Sequence, residues 1–230
     1  GPSPSFTPMH LIPNTLAVMA IAALAGCATP TPVARPVVQQ DAPTRADAWM
    51  RIADAADFDR IRRLDRAWSE ALADARASGS RSEVAAEGDL LKPLAALARP
   101  QPTPGSYECR MVRLGRTGTR GRAFERFKPF FCYVEVDGEL LTIVKQTGSQ
   151  RPAGRLWEDD RPNRLIFLGS LALGDEEAPK AYGDDPRRNM AGVLERIGPF
   201  RWRLVIPWPR GTSKLDVFEL TPVADQPKPA

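Results

Sequence analysis

Histidine is almost missing: the single one among 230 residues is His10. It lies in a segment expected to be removed, so the remaining chain has no imidazole. That excludes Ser-His-Asp and Cys-His nucleophilic catalysis and His-ligated zinc. Cysteine is scarce as well, at three residues with no C-x-x-C spacing, which removes thioredoxin-type redox chemistry and Cys-rich metal knuckles. No apolar run reaches the roughly 20 residues needed to cross a bilayer. Charge of one sign is also lacking. Thirty-two Lys and Arg against 28 Asp and Glu leave a net +4 spread along the chain, too mild to point to nucleic acid.

Proline is abundant, with 23 residues gathered mainly near the ends and in connecting stretches. The segment Leu16 to Gly26 is uncharged and apolar and ends at Cys27. It is too short to span a membrane and reads as a secretory signal over residues 1–26. The block Leu24-Ala25-Gly26-Cys27 resembles the bacterial lipobox, although no Lys or Arg precedes the apolar run. The resemblance implies lipidation of Cys27 and, with Ala28 rather than Asp after it, the periplasmic face of the outer membrane. Residues 27–45 are Pro-rich and poor in large apolar groups, the composition of an extended tether. With Cys27 lipidated, Cys109 and Cys132 remain, and an oxidising compartment favours their disulfide. Two buried free thiols are the alternative. Closing that loop would stabilise the fold by about 3 kcal/mol.

The expected fold class is α+β. From Asp47 to Ala77, Ile61, Leu64, Trp68, Leu72 and Ala75 recur at helical spacing with charged residues between them. Asp54 or Asp57 is placed to cap this helix, and Ser78-Gly79 to end it. A weaker helix is expected from Ser82 to Ala98, with Leu90, Leu91, Leu94 and Leu97 as its apolar side. The run Arg99 to Gly105 closes this helical segment, 46–99, before a second segment, 105–222; residues 223–230 form a tail.

In 105–222 the period becomes that of strands. Eight are expected: 107–114, 130–136, 139–145, 154–157, 165–173, 192–197, 200–206 and 215–220. Asp137-Gly138 suits a tight hairpin. Phe200, Trp202, Leu204 and Ile206 alternate inward. Phe130 to Val134 and Leu165 to Leu168 are apolar on both faces, so the helices are expected to cover what the sheet's other side leaves open. Short links imply an antiparallel meander, which removes its edges by closing into a barrel or folding into a sandwich, the barrel being the arrangement expected here.

Several stretches together resemble an uncharacterised family of alphaproteobacterial lipoproteins, domain of unknown function 4893. They are the helix leading to Trp68, Gly105-Ser-Tyr-Glu-Cys109-Arg110, Phe131-Cys132, Lys145 to Gly154, Tyr182-Gly183-Asp184-Asp185 and Glu195-Arg196-Ile197-Gly198. The resemblance covers residues 46–222 and implies no activity. The strand pattern also looks like that of the small calycin barrels, a likeness of architecture alone.

Two loops are candidates for ligand contact. Arg116, Arg120, Arg122, Arg126 and Lys128 make a basic stretch between the cysteine-bearing strands, suited to anionic lipid or glycan. Lys145, Gln150 and Arg151 lie in a polar loop between two strands, where donors would suit a carboxylate or phosphate. Tyr182 to Asn189 is a possible second rim loop. The acidic clusters Glu158 to Asp160, Asp175 to Glu177 and Asp184-Asp185 lack the spacing of a calcium loop and read as solvated loop charges. No catalytic residue, metal or cofactor is expected. The expected function is a membrane-tethered periplasmic lipoprotein with a non-catalytic binding or envelope-structural role. Its partners would be the membrane, through the anchor, and an anionic envelope ligand or a protein; nucleic acid is not among them. The alternatives are a protein-docking inhibitor or accessory subunit, and a hydrolase using carboxylates alone.

The anchor has a direct test. Cys27→Ser should abolish incorporation of labelled palmitate and move the protein from the membrane to the soluble fraction; unchanged labelling would contradict the lipobox reading.

Overall fold

The computed structural model describes residues 44–137, 140–145, 150–173, 180–211 and 213–224, with backbone only for 140–145, 150 and 151. The signal and lipidation sites expected at 1–26 and Cys27, nearly all of the tether and most of the tail lie outside the described residues, as does the Gly138 turn. The fold is α+β: short helices precede an antiparallel sheet.

Four helices come first: α1 (Asp47–Ile52), α2 (Ala55–Arg62), α3 (Leu64–Ala77) and α4 (Arg81–Ala86), followed by a 3₁₀ turn, Gly88–Leu91. Asp54 caps α2 by accepting from the Asp57 N–H at 2.7 Å, and Ser78-Gly79 ends α3, with Gly79 at φ +93°. The expected continuous helix is broken at Arg63, whose φ of −98° and ψ of 21° leave the helical region. The bend lets α2 and α3 follow different parts of the sheet. The second helix stops earlier than its pattern suggested. Gly88 takes a positive φ, Pro93 follows, and beyond Leu91 no helix continues among the described residues. Leu94 is accordingly 96% exposed and Leu97 40% exposed, not an apolar helical face.

Nine strands follow: β1 (Gly105–Leu114), β2 (Phe124–Arg126), β3 (Phe130–Asp137), β4 (Leu140–Lys145), β5 (Gln150–Glu158), β6 (Leu165–Leu173), β7 (Asn189–Gly198), β8 (Arg201–Pro207) and β9 (Leu215–Pro222). Each of the eight expected strands is present, and β2 is an addition inside the basic loop. From β3 to β9 each strand pairs antiparallel with the next. β1 pairs with β3 through residues 105–109 and with β2 through 112–114. Residues 107–114 of β1 also pair with β9. Because 107–109 and 112–114 each have two partners, β9 must occupy the edge of β1 opposite β2 and β3. Cys109 of β1 and Cys132 of β3 are joined by a disulfide.

Side-chain alternation sends these strands into two cores. On one face Tyr107, Cys109, Cys132, Val134, Leu156, Phe167, Trp202, Leu204 and Leu220 meet one another. On the other, Val112, Leu114, Ile166, Leu168, Val193, Val205 and Val217 meet Ile61, Trp68, Ala71, Leu72 and Leu90 of the helical segment. Leu165 to Leu168 divides between the two as expected. Ala67, Ala71 and Ala75 bring α3 down closely, and at Gly115, φ +69°, a Cβ would stand 2.9 Å from the Ala71 Cα. In β3 the expected helical cover is absent: Phe131 is 54% exposed because the helices lie over other strands.

β8 departs from its simple alternation at two positions. Phe200 is 73% exposed, in the turn before the strand, instead of inward. Arg203, which alternation assigns to the solvent side, is fully buried beneath the helical segment. Its Nε donates to Glu195 Oε1 at 3.1 Å. Its two terminal nitrogens donate to the carbonyls of Asp89, Leu90, Lys92 and Pro93 at 2.7 to 3.1 Å. The guanidinium lies 4.9 Å from the centre of the Trp68 ring. A second set of pairs ties α4 to the sheet. Glu87 accepts from Arg110 Nη2 at 2.7 Å and from Arg126 Nε at 2.5 Å, and Arg110 also reaches Glu219. Burial pushes the Glu87 carboxyl up, but the hydrogen bonds from Arg110 and Arg126 outweigh it and hold the group below its ordinary value. Asp159 is likewise lowered against its burial, by Arg164 and the Trp49 indole.

Two expectations follow. Arg203→Met should lower the unfolding free energy in urea by about 4 kcal/mol, because Glu195 is left buried and unpaired; a loss below about 1 kcal/mol would show the pair to be dispensable. Acid should also destabilise the fold through Glu87 and Asp159. Their pairing contributes fully above the unfolded carboxyl values of about 4 and is lost as pH falls through the lower folded values. Glu87→Gln should therefore flatten the acid limb of a stability-versus-pH curve and cost about 2 kcal/mol at pH 7.

Candidate functional site

At one end of the sheet the later residues of β1, β6 and β8 meet the first residues of β3, β5, β7 and β9. A cavity of about 570 Å³ opens there. Its apolar wall is Met111, Phe130, Leu171, Met190, Ile206 and Phe218. Beneath it lies a void of about 20 Å³ bounded by Cys109, Cys132, Phe167, Leu204 and Leu220. Phe130 and Phe218 border both spaces. Their rings meet edge to face, 6.2 Å between centres and 82° between planes. Below them the disulfide and Phe167 fill the space.

The rim is strongly cationic. Arg60, Arg113, Lys128, Arg187, Arg188 and Arg210 line the cavity, against Asp57 and Asp216. Two of these cations pair with the carboxylates that line the cavity. Arg113 and Asp216 are register partners across β1 and β9, and Arg113 Nε and Nη2 donate to the two carboxylate oxygens at 2.9 and 3.0 Å. That hydrogen bonding raises the arginine's pKa further, against its burial. Arg60 pairs with Asp57 at 2.8 Å. Asp57 also accepts from Tyr182 Oη at 2.6 Å, and Tyr182 accepts from the Asp54 N–H. Burial and the bond to Asp57 push the Tyr182 phenol up, so it remains a donor.

The loop after β6 carries the next group. Asp185 accepts from the Arg187 N–H at the start of a 3₁₀ turn, Pro186–Arg188. It also pairs with Arg187 and Arg188 at 3.3 and 3.6 Å, with Arg187 leaving 90% of its side chain exposed. The Arg187 hydrogen bond holds the Asp185 carboxyl below its ordinary value. Arg210 donates to the carbonyls of Pro186 and Asn189, which fixes its position without a carboxylate. Lys128 is exposed and has no ion-pair partner among the described residues. Trp208 supports this side at φ +41°, its N–H bonded to Lys214 O and its ring under Arg63 at 4.5 Å.

Of the residues singled out from the sequence, Lys128 lines the cavity. Arg126 turns to Glu83 and Glu87 and holds the basic loop against α4, while Arg116 donates its side chain to the Gly121 carbonyl within the loop and its main-chain N–H to Asp74 of α3. Arg120 and Arg122 are exposed and away from the cavity lining. The side chains of Lys145, Gln150 and Arg151 lie outside the described residues; by backbone, Gln150 sits opposite Leu173, a lining residue, and Arg151 precedes the lining residue Pro152. The rim loop suggested at Tyr182 to Asn189 supplies Arg187, Arg188 and Asn189. Arg60, Arg113 and Arg210 were not visible as site residues, since they come from three distant segments. The acidic residues are engaged structurally: Asp159 with Trp49 and Arg164, Asp160 with the Ala46 N–H, Asp184 with the Ala181 N–H. Asp175 to Glu177 lie outside the described residues.

No match to this chain is found among curated proteins or solved structures. Residues 49–220 match the family described as a domain of unknown function, DUF4893. That span takes in the helices and the sheet except for the first two residues of α1 and the last two of β9, and every described residue lining the cavity, and the chain belongs to this family.

Proposed function

We propose that the protein is a lipoprotein of the alphaproteobacterial type, held at the periplasmic face of the outer membrane through Cys27, and that it binds an anionic ligand without catalysing its conversion. In this reading the ladder from β1 through β3 to β9 and back to β1 works as a small calycin-like barrel. Its cavity is the mouth. The observation that carries the reading is the gathering of cations around an apolar hollow: six line it beside two carboxylates, each already paired with an arginine, and Asp185 stands against Arg187 and Arg188. An anion entering there meets Arg210, which two carbonyls hold in place, together with the exposed Lys128 and Arg187, and charge-assisted hydrogen bonds to these groups would retain it.

The pinned basic loop favours the cavity over a protein-docking role. Arg116 and Arg126 are committed to intramolecular partners, so the docking alternative keeps only part of the charge it would rely on.

Native mass spectrometry of protein recovered gently from envelope should show an adduct of an anionic small molecule, retained by wild type and lost by Lys128→Glu/Arg187→Glu. Both positions are exposed, so the double variant should keep its melting temperature within a few degrees. Adduct-free protein, together with no heat of binding for any anion in a calorimetric screen, would defeat the proposal.

A further inference from the structure

We infer that the ligand is a single-chain amphiphile with an acidic head, either a fatty carboxylate or an alkyl phosphate; this rests on the cavity reading above. The two chemistries of the lining are separated in space. The cations Lys128, Arg187, Arg188 and Arg210 come from the loops between β2 and β3, β6 and β7, and β8 and β9, which makes them a rim. The apolar residues Met111, Phe130, Met190, Ile206 and Phe218 come from the strands themselves and pack against the inner core. A small hydrophilic anion would use the rim and leave these side chains facing water. A neutral hydrocarbon would fill the hollow and leave the rim cations idle. An acid on a chain satisfies both, its head among guanidinium and ammonium donors and its tail along the strands.

The depth of the tail site is set by the floor. Phe130 and Phe218 meet edge to face there, and the space beyond them shrinks to about 20 Å³ between the disulfide, Phe167 and Leu204. Two methionines in the wall give a surface that adapts to a flexible chain. Such a site accepts added methylenes until the tail meets the floor and gains nothing from more.

The test is a calorimetric series on the full-length protein with n-alkyl carboxylates from hexanoate upward, each below its critical micelle concentration, with n-alkyl phosphates and n-alkanols as parallel arms. Affinity should rise about three- to fourfold per methylene and then level off at one chain length. Alkanols of equal length should bind at least tenfold more weakly. Lys128→Glu/Arg187→Glu should weaken the acids about tenfold and leave the alkanols unchanged, whereas Met190→Trp should move the plateau to shorter chains. The stronger of the carboxylate and phosphate arms identifies the head. Citrate or inorganic phosphate binding as tightly as the best amphiphile, with no gain from a tail, would overturn the inference while leaving the anion-binding proposal standing. Alkanols equal to acids would overturn it through the head. Absence of binding by every anion would instead defeat the parent proposal.

Discussion

The buried pair of Arg203 and Glu195 is the constraint around which the rest is arranged. Both side chains arise from adjacent strands, β8 and β7, as register partners, and both face the side of the sheet that the helices cover. Burying a guanidinium is tolerable only when its donors are occupied. Here one nitrogen meets the carboxylate and the others meet four main-chain carbonyls between Asp89 and Pro93. Those carbonyls belong to a 3₁₀ turn and the irregular stretch after it, where Leu90 and Pro93 lie within the turns closed by local main-chain bonds to Asp89 and Lys92. The arginine therefore substitutes for the helical continuation that Gly88 and Pro93 prevent, and it gives Trp68 a cation against its ring. Helical segment and sheet are thereby made one cooperative structure instead of two stacked pieces.

That attachment explains why the sheet can be apolar on both sides. Strands β6 to β9 and the end of β1 carry Val, Ile and Leu outward, which in an isolated sheet would be exposed and prone to association. The α3 alanines and Gly115 allow the helix backbone close to these strands, and Glu87 with Arg110, Arg126 and Glu219 fastens the far end of the cover. β3 lacks the cover and shows the consequence directly, in an exposed Phe131 opposite the buried Cys132.

The strands were legible in the sequence because alternation and turn residues act locally. All eight long strands could be placed from their own residues, and Leu165 to Leu173 to the residue. β2 escaped because three residues, Phe124 to Arg126, give no periodic signal within a run of Arg and Gly. The break at Arg63 escaped for a different reason: neither Gly nor Pro marks it, and the apolar spacing continues across it, so the bend is imposed by packing. Arg203 was misplaced since alternation assigns a charge to solvent unless partners exist, and the carbonyls that take its terminal nitrogens lie more than 100 residues away along the chain, between Asp89 and Pro93. The site suffered most from this. Its cations come from α2, β1, the loop before β3, the turn after β6 and the loop after β8, an assembly that only the strand ladder creates. Lys128 and the Tyr182 to Asn189 loop were visible, being polar interruptions between clear strands.

The position of the cavity follows from how the inner core is filled. Gly154 and Gly169 face each other across β5 and β6, and a Cβ on either would approach the Phe167 ring to within 2.6 to 2.8 Å. The phenyl ring thus lies flat on two glycines. At the opposite end of the core Tyr107 and Trp202 stack edge to face, and the indole N–H donates to the Pro100 carbonyl. The aromatic bulk is concentrated in the lower and middle levels, with the Cys109–Cys132 bridge between neighbouring strands at the same height. Above that level the inward residues are Met111, its register partner Phe218, Met190 and Ile206. The hollow is consequently a vestibule with a rigid base, not a passage through the sheet. Its shape is governed by strand residues whose packing also holds the fold together, and its charge by loops that can vary without disturbing that packing.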